Sequence, residues 1–288
     1  MPRSAERLTP AFAYHGEGPF WDHRRSRLLC MDVLAGTVAE VDSAGGVHRY
    51  PTNSRVATMI RHREKSGFVI ATERGIAFAD DDLSSFEQIV GLTEDPTVRT
   101  NDGGCDRGGG LVVGTMSYDG KSPRGAVYRV GPDLRVVKLL APVTISNGIQ
   151  WSADGSRVFY VDTPTRRVDV FDVDTSSGTW SGRRPHIYLD DVAGFPDGMA
   201  IDEEDGLWIA LWGGGAVNHY DSAGRLVETI TIPGVRQVSS CAFGGDRLQT
   251  LYITTSRQDL RKDEEPNAGA VFAAEAAIRG APQAVFRG

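Results

Sequence analysis

Short apolar runs alternate with polar turn clusters along almost the whole chain, and stretches of helical 3.6-residue periodicity are missing. RLLCMDV, GFVIATE, GLVVGTM, GAVYRV, RVFYVD, VDVFDV, GLWIALW, VNHYD, LYITT and GAVFAA are rich in β-branched and aromatic residues and are bounded by Gly, Asp, Asn or Pro. Those are the marks of strands. SADGS, DSAGG, DSAGR and DEEDG separate them at hairpin distances. Near the C-terminus, EAAIRG predicts a single helical turn. The fold class that follows is all-β.

The strand pattern repeats. HGEGPFWDHRRSRLLCMDVLAGTVAEVD, SNGIQWSADGSRVFYVDTPTRRVDVFDVD and PDGMAIDEEDGLWIALWGGGAVNHYD each run from a polar–Gly pair through a turn and an apolar strand to a second strand ending in Asp. TNDGGCDRGGGLVVGTMSYDGKSPRGAVYRV is a fourth copy with a longer insertion. RVATMIRHREKSGFVIATERGIAFAD and VSSCAFGGDRLQTLYITTSRQDL are weaker second and sixth copies. Copies start near 16, 56, 101, 146, 196 and 238, a spacing of about 40–50 residues that matches four-stranded propeller blades. The prediction is a six-bladed β-propeller with four-stranded blades around a central channel, one domain over residues 1–288. Either RLTPAFAYH or PQAVFRG can supply the strand that completes the last blade.

In a propeller the first strand of every blade lines the channel, so equivalent positions lie at one height around the axis. Glu17, Asn101, Asn147 and Asp197 stand at the same place in four repeats, which predicts a cluster at one channel mouth. Val56/Ala57 and Ser239/Ser240 fall at that level in the weaker copies and leave the ring open on one side. Asn-Gly and Asp-Gly pairs are also ordinary turn formers. Four oxygen donors in one column, two of them acidic, favour a site for Ca²⁺, Mg²⁺ or Mn²⁺, with Zn²⁺ reachable through the carboxylates. Arg99, two residues before Asn101, either reaches over the mouth, where its planar fork suits a carboxylate or hydroxyls, or is a surface arginine.

Composition narrows the function classes. The formal charge of −7 and the lack of a Lys/Arg cluster speak against nucleic-acid binding. No run approaches the roughly 18 apolar residues needed to span a bilayer, and the N-terminus lacks a signal-peptide core. Cys30, Cys105 and Cys241 are widely spaced and odd in number, which reads as buried free thiols in a reducing compartment, with the cytoplasm as the default location. RHREK at 61–65 reads as a solvated hairpin tip. The six histidines are scattered and read as surface or satisfied residues, Trp21 and Trp151 read as blade packing, and Trp212 fits either core or pocket. Glycine-rich GGGLVVG and WGGGAV lead into strands rather than helices, and no G-x-S-x-G, H-E-x-x-H or EF-hand spacing occurs.

GEGPFWD, RTNDGG, VVGTM, ISNGIQWS, FPDGMAID, LWIALWGGG and SSCAFGG occur in this order from about residue 15 to 255. Together they resemble the successive motifs of the gluconolactonase/regucalcin family of six-bladed propellers. The resemblance implies that Glu17, Asn147 and Asp197 hold one divalent cation, Ca²⁺ first and Zn²⁺, Mn²⁺ or Mg²⁺ otherwise. It implies that Arg99 and Asn101 contact substrate, with Asp102 beside them or lining the pocket. The expected activity is hydrolysis of a sugar (aldono-) lactone, a small-molecule substrate, with the cation as Lewis acid and Asp197 as general base. An organophosphate or aryl-ester hydrolase on the same site, and a calcium-binding regulatory protein without turnover, are the competing expectations. Some members carry an acidic residue just after GTM; here the stretch reads GTMSYDGKSPRG, so Ser117, Tyr118 or Asp119 lines that loop instead.

Overall fold

The computed structural model describes residues 3–261 and 263–288. Six antiparallel meanders stand around a common axis, one for each sequence repeat. Their innermost strands are Gly16–Asp22, Ala57–His62, Val98–Cys105, Ser146–Trp151, Phe195–Ile201 and Val238–Gly244. Each blade adds strands outward in chain order, as in blade two, where Phe68–Thr72, Gly75–Ala79 and Phe86–Gly91 follow. Ala57–His62 and Phe68–Thr72 are buried along their whole length, whereas Phe86–Gly91 is largely exposed. The reason is packing from both sides: an inner strand has a neighbouring blade on each face, and an outer strand has water on its edge. This is the six-bladed, four-stranded propeller read from the repeats.

The core consists of the seams between blades rather than one central mass. Phe20, Leu29 and Met31 of blade one meet Ile60, Phe68 and Ile70 of blade two. Met59 and Val69 of blade two meet Leu111 and Val113 of blade three, and Val112 and Val127 meet Trp151, Tyr160 and Phe171 of blade four. Phe159 and Val168 pack on Ile209 and Leu211, Trp208 and Val217 on Phe243 and Ile253, and Leu28 and Cys30 on Val271 of blade six. All three cysteines are free and buried in or beside these seams.

The N-terminal segment closes the ring. Glu6–Arg7 pairs antiparallel with Val271–Glu275 and becomes the outer strand of blade six, while Arg3–Ser4 lies parallel on Leu226–Thr231 of blade five. PQAVFRG, the other candidate for that strand, does something else. The C-terminal tail crosses the channel end opposite the polar column. Along the way Gly280 N–H donates to Leu248, Ala281 N–H to Ile201, Phe286 N–H to His62 and Arg287 N–H to Gly109. Those acceptors belong to, or adjoin, blades six, five, two and three. Phe286 is fully buried in the seam between blades two and three.

Two local expectations are corrected. EAAIRG forms no helical turn: Ala276 and Gly280 donate their N–H groups to Gln249 and Leu248 instead, so tertiary bonds replace helical ones. RHREK is not a solvated tip throughout. Arg61 and His62 belong to the inner strand Ala57–His62 and are buried, and His62 Nε2 meets Asp22 Oδ1 at 2.9 Å. Charge pattern alone misses this because a propeller channel gives polar side chains a buried, hydrogen-bonded place.

Phe286→Ala should therefore destabilise the protein by about 3–5 kcal/mol, the cost of emptying a full aromatic site. Thermal unfolding checks this, and a midpoint that does not move would show that the tail is not a clasp.

Candidate metal centre at the channel mouth

All six inner strands break register at the same level. The shifts lie between Glu17 and Phe20, Ala57 and Met59, Thr100 and Gly103, Asn147 and Ile149, Pro196 and Met199, and Val238 and Ser240. A bulge bends a strand and re-aims a side chain out of the ladder. In four blades it frees a polar residue, Glu17, Asn101, Asn147 or Asp197, from the alternation that would bury it in a seam. Two of the glycines are required by geometry. Gly18 has φ 53° and a Cβ there would stand 2.5 Å from the Thr58 carbonyl oxygen; Gly148 has φ 23° and would meet the Asp197 carbonyl oxygen at 2.9 Å. The polar–Gly pairs of the repeats are thus bulge chemistry.

The released side chains line a cavity of about 380 Å³ at the mouth, with Glu17, Arg99, Asn101, Asn147 and Asp197 among them. Their orientations are fixed by hydrogen bonds. Asn147 Nδ2 donates to Thr163 Oγ1 at 2.8 Å, and Asn147 Oδ1 accepts from Asn101 Nδ2 at 2.8 Å. Asn101 Nδ2 also donates to the Ser146 carbonyl, and its Oδ1 accepts from Arg99 Nη1 at 2.7 Å. Arg99 is 5 % exposed, and burial lowers its pKa to about 10, so it keeps its charge at neutral pH.

The carboxylates carry the electrostatic strain. Burial, followed by repulsion from Asp102, pushes Glu17 up to about 8. Asp197 is raised well above its ordinary value by burial first and then by Glu17 and Asp102. The N–H of Gly18 on Glu17 Oε2 at 2.8 Å and the proximity of Arg99 offset only part of this. Buried like charges without an adequate counter-ion are costly, and a hard divalent cation would supply the missing charge. The donor set fits such an ion: two carboxylates, and a carboxamide whose Nδ2 is tied back to Thr163 and whose Oδ1 is left as the donor atom. Among the described residues no three His, Cys, Asp or Glu side chains form a metal-holding cluster.

Asp102, expected beside Arg99 and Asn101 or lining the pocket, stays close enough to the mouth to repel Glu17 and Asp197. It does not line the mouth cavity; it faces a separate cavity deeper in the channel together with Arg61, Gln150 and Ser240. Asn101 and Asp102 are consecutive, and the bulge between Thr100 and Gly103 directs them into different cavities. Asp102 Oδ1 accepts from the Gly103 N–H at 2.7 Å, and the Arg61 guanidinium is its nearest compensating charge.

Other pocket residues were not singled out in the sequence. His15 lines the mouth, is pushed down to about 3 by burial and by Arg99, and is therefore neutral. Its Nδ1 meets Ser256 Oγ at 2.9 Å and its ring stands edge-on to Trp212, with centroids 5.7 Å apart. Trp212 lines the pocket, which decides the core-or-pocket alternative. The only sequence signal for His15 was its position just before Gly16 and Glu17. Of the residues after GTM, Tyr118 and Asp119 line the cavity, whereas Ser117 is buried and donates to the Ser122 carbonyl.

A six-bladed propeller with an open, oxygen-lined mouth is thus the class of protein that the geometry defines. The family described as SMP-30/gluconolactonase/LRE-like matches residues 15–257, and the chain belongs to it. A Bacillus subtilis relative named "Putative sugar lactone lactonase YvrE" is 33 % identical over 280 residues, covering 95 % of each chain. Danio rerio regucalcin is 34 % identical over 263 residues, covering 89 % of each. The crystal structure of a calcium-binding protein, regucalcin, from Agrobacterium tumefaciens superposes with a TM-score of 0.92 at 27 % identity, covering 100 % of this chain and 98 % of that one. No described helix is long and apolar enough to cross a membrane.

The raised Glu17 pKa sets a pH dependence. The folded state holds this proton more tightly than the unfolded chain does, so between pH 4.5 and about 8 the folded protein carries the extra proton and stability falls as pH rises. In EDTA the unfolding temperature should drop across that window, and Glu17→Gln should flatten the drop. An unchanged slope in Glu17→Gln would contradict the assignment.

Proposed function

We propose that this protein hydrolyses a lactone to its hydroxy acid, with a sugar (aldono-) lactone as the leading substrate class, at a divalent-cation site formed by Glu17, Asn147 and Asp197. The observation that carries the reading is the pair of buried, mutually repelling carboxylates, Glu17 and Asp197, beside an oriented carboxamide at an open mouth. The name of the Bacillus subtilis relative and the family description support lactone hydrolysis as the reaction class. Regucalcin and the Agrobacterium calcium-binding protein support Ca²⁺ as the first choice of ion, with Zn²⁺, Mn²⁺ or Mg²⁺ as alternatives.

When bound, the cation supplies Lewis acidity, which polarises an ester carbonyl and makes water a stronger acid. The chain's own residues do the rest. Asp197 accepts the proton of the attacking water. Arg99, charged and nearly buried, donates to the substrate's ring oxygens or hydroxyls through the guanidinium atoms that Asn101 leaves free. Asn101 bridges Arg99 to Asn147 and so keeps the substrate-facing and cation-facing groups in register. Neutral His15 and Trp212 keep that side of the pocket uncharged and partly dry.

Asp197→Ala should lower kcat/KM for D-glucono-1,5-lactone by about 10²–10⁴-fold, and EDTA should abolish turnover until Ca²⁺ is restored. Near-full activity in either test would remove the mechanism. The same residues would also serve a calcium-binding protein without turnover, as the printed names of two relatives allow. Calcium titration that saturates with no hydrolysis of any lactone or ester would select that second reading.

A further inference from the structure

The mouth cavity is polar at its floor and apolar along its wall. Leu34, Met116, Tyr118, Ile145 and Trp212 line it above the carboxylates. They come from four blades: the short 3₁₀ turn Val33–Ala35 of blade one, the end of Leu111–Ser117 and the residue after it, the residue before Ser146–Trp151, and the end of Leu207–Trp212. Several polar side chains interspersed among them are already committed. Thr163 Oγ1 accepts from Asn147 and donates to the Pro196 carbonyl. Asp119 spends its carboxylate on the N–H groups of Lys121 and Ser122 and on the Ser122 hydroxyl. His15 holds Ser256, and Tyr118 donates its hydroxyl to Glu73 Oε1 at 2.6 Å. Gln258 and Asp259 also line the cavity, so the remaining free side-chain donors and acceptors are those at the floor with Arg99, the other ring nitrogen of His15, and these two residues.

A fully hydroxylated hexonolactone would set hydroxyls against this wall. Each one would leave water without gaining a partner, and that loss is what makes buried polar groups unfavourable. An alkyl group at the same place leaves water favourably. The geometry points to a lactone with an apolar exocyclic substituent, its ester end on the polar floor and its alkyl end on Leu34, Ile145 and Trp212, as the preferred substrate of this pocket. The inference rests on the lactonase reading above and narrows it: the reaction stays the same, and the selected substrate class shifts from polyhydroxylated towards alkyl-substituted lactones.

The test compares kcat/KM of the Ca²⁺-loaded protein for a δ-lactone with a pentyl side chain against D-glucono-1,5-lactone. The expected result is a preference of at least about tenfold for the alkyl lactone, the size of discrimination that one or two methylenes earn in an apolar pocket. Leu34→Asn and Ile145→Asn should each move that ratio about tenfold towards the sugar lactone, while Leu34→Met keeps it. Far-ultraviolet circular dichroism and the unfolding midpoint confirm that the variants are folded. A preference for the sugar lactone, or a ratio that neither substitution moves, overturns the inference and leaves the lactonase reading intact. Turnover of neither lactone overturns both.

Discussion

The seam between adjacent blades is the contact on which everything else in this molecule depends. A single four-stranded meander has two apolar faces and can bury neither alone. Each blade here shares one apolar cluster with the blade before it and another with the blade after it, and the sixth cluster joins Val271 of the last blade to Leu28 and Cys30 of the first. Stability is thus a property of the closed ring. That is why both chain ends are spent on closure: the N-terminal strands complete blade six and extend blade five, and the C-terminal tail ties together the far side of the channel.

Closure also creates the chemistry. Once six inner strands face one axis, the bulges of blades one, three, four and five aim Glu17, Asn101, Asn147 and Asp197 at the same small volume. Seam packing holds these strands in place, so Glu17 and Asp197 remain in a low-dielectric channel where burial and neighbouring carboxylates raise the pKa of each. Asn101 and Asn147 are locked in orientation by the same network that positions Arg99. The result is a preorganised polar floor, whose side chains are held in place by a scaffold that need not move.

Deeper in the channel Arg61 and Asp102 form a second charged layer. There Arg61 donates to the Ile60 and Gly103 carbonyls. The bulge between Thr100 and Gly103 parts two neighbours: Asn101 lines the mouth cavity and Asp102 the deeper one, close enough to Glu17 and Asp197 to raise both.

Much of this was legible in the residue pattern, because the information was local and repeated. Strand periodicity, turn residues and the 16, 56, 101, 146, 196 and 238 starts specify blade number and type, and the polar–Gly pairs mark Glu17, Asn101, Asn147 and Asp197 at one level. What the pattern left undecided depended on which surfaces meet. Arg61 and His62 looked solvated because charge is usually exposed, yet ring closure buried them. The place of Asp102 stayed open between two alternatives because the bulge that parts it from Asn101 is a backbone event with no distinctive residue of its own beyond glycine. His15, Trp212 and the apolar wall came together only when loops from separate blades were brought to one rim. By itself the sequence determined the repeat, the strands and the column of oxygen donors, since each is written in short-range spacing. The tertiary structure decided which terminus closes the ring, which way consecutive residues point, and how polar the pocket is above its floor, since those are set by long-range packing that no local pattern encodes.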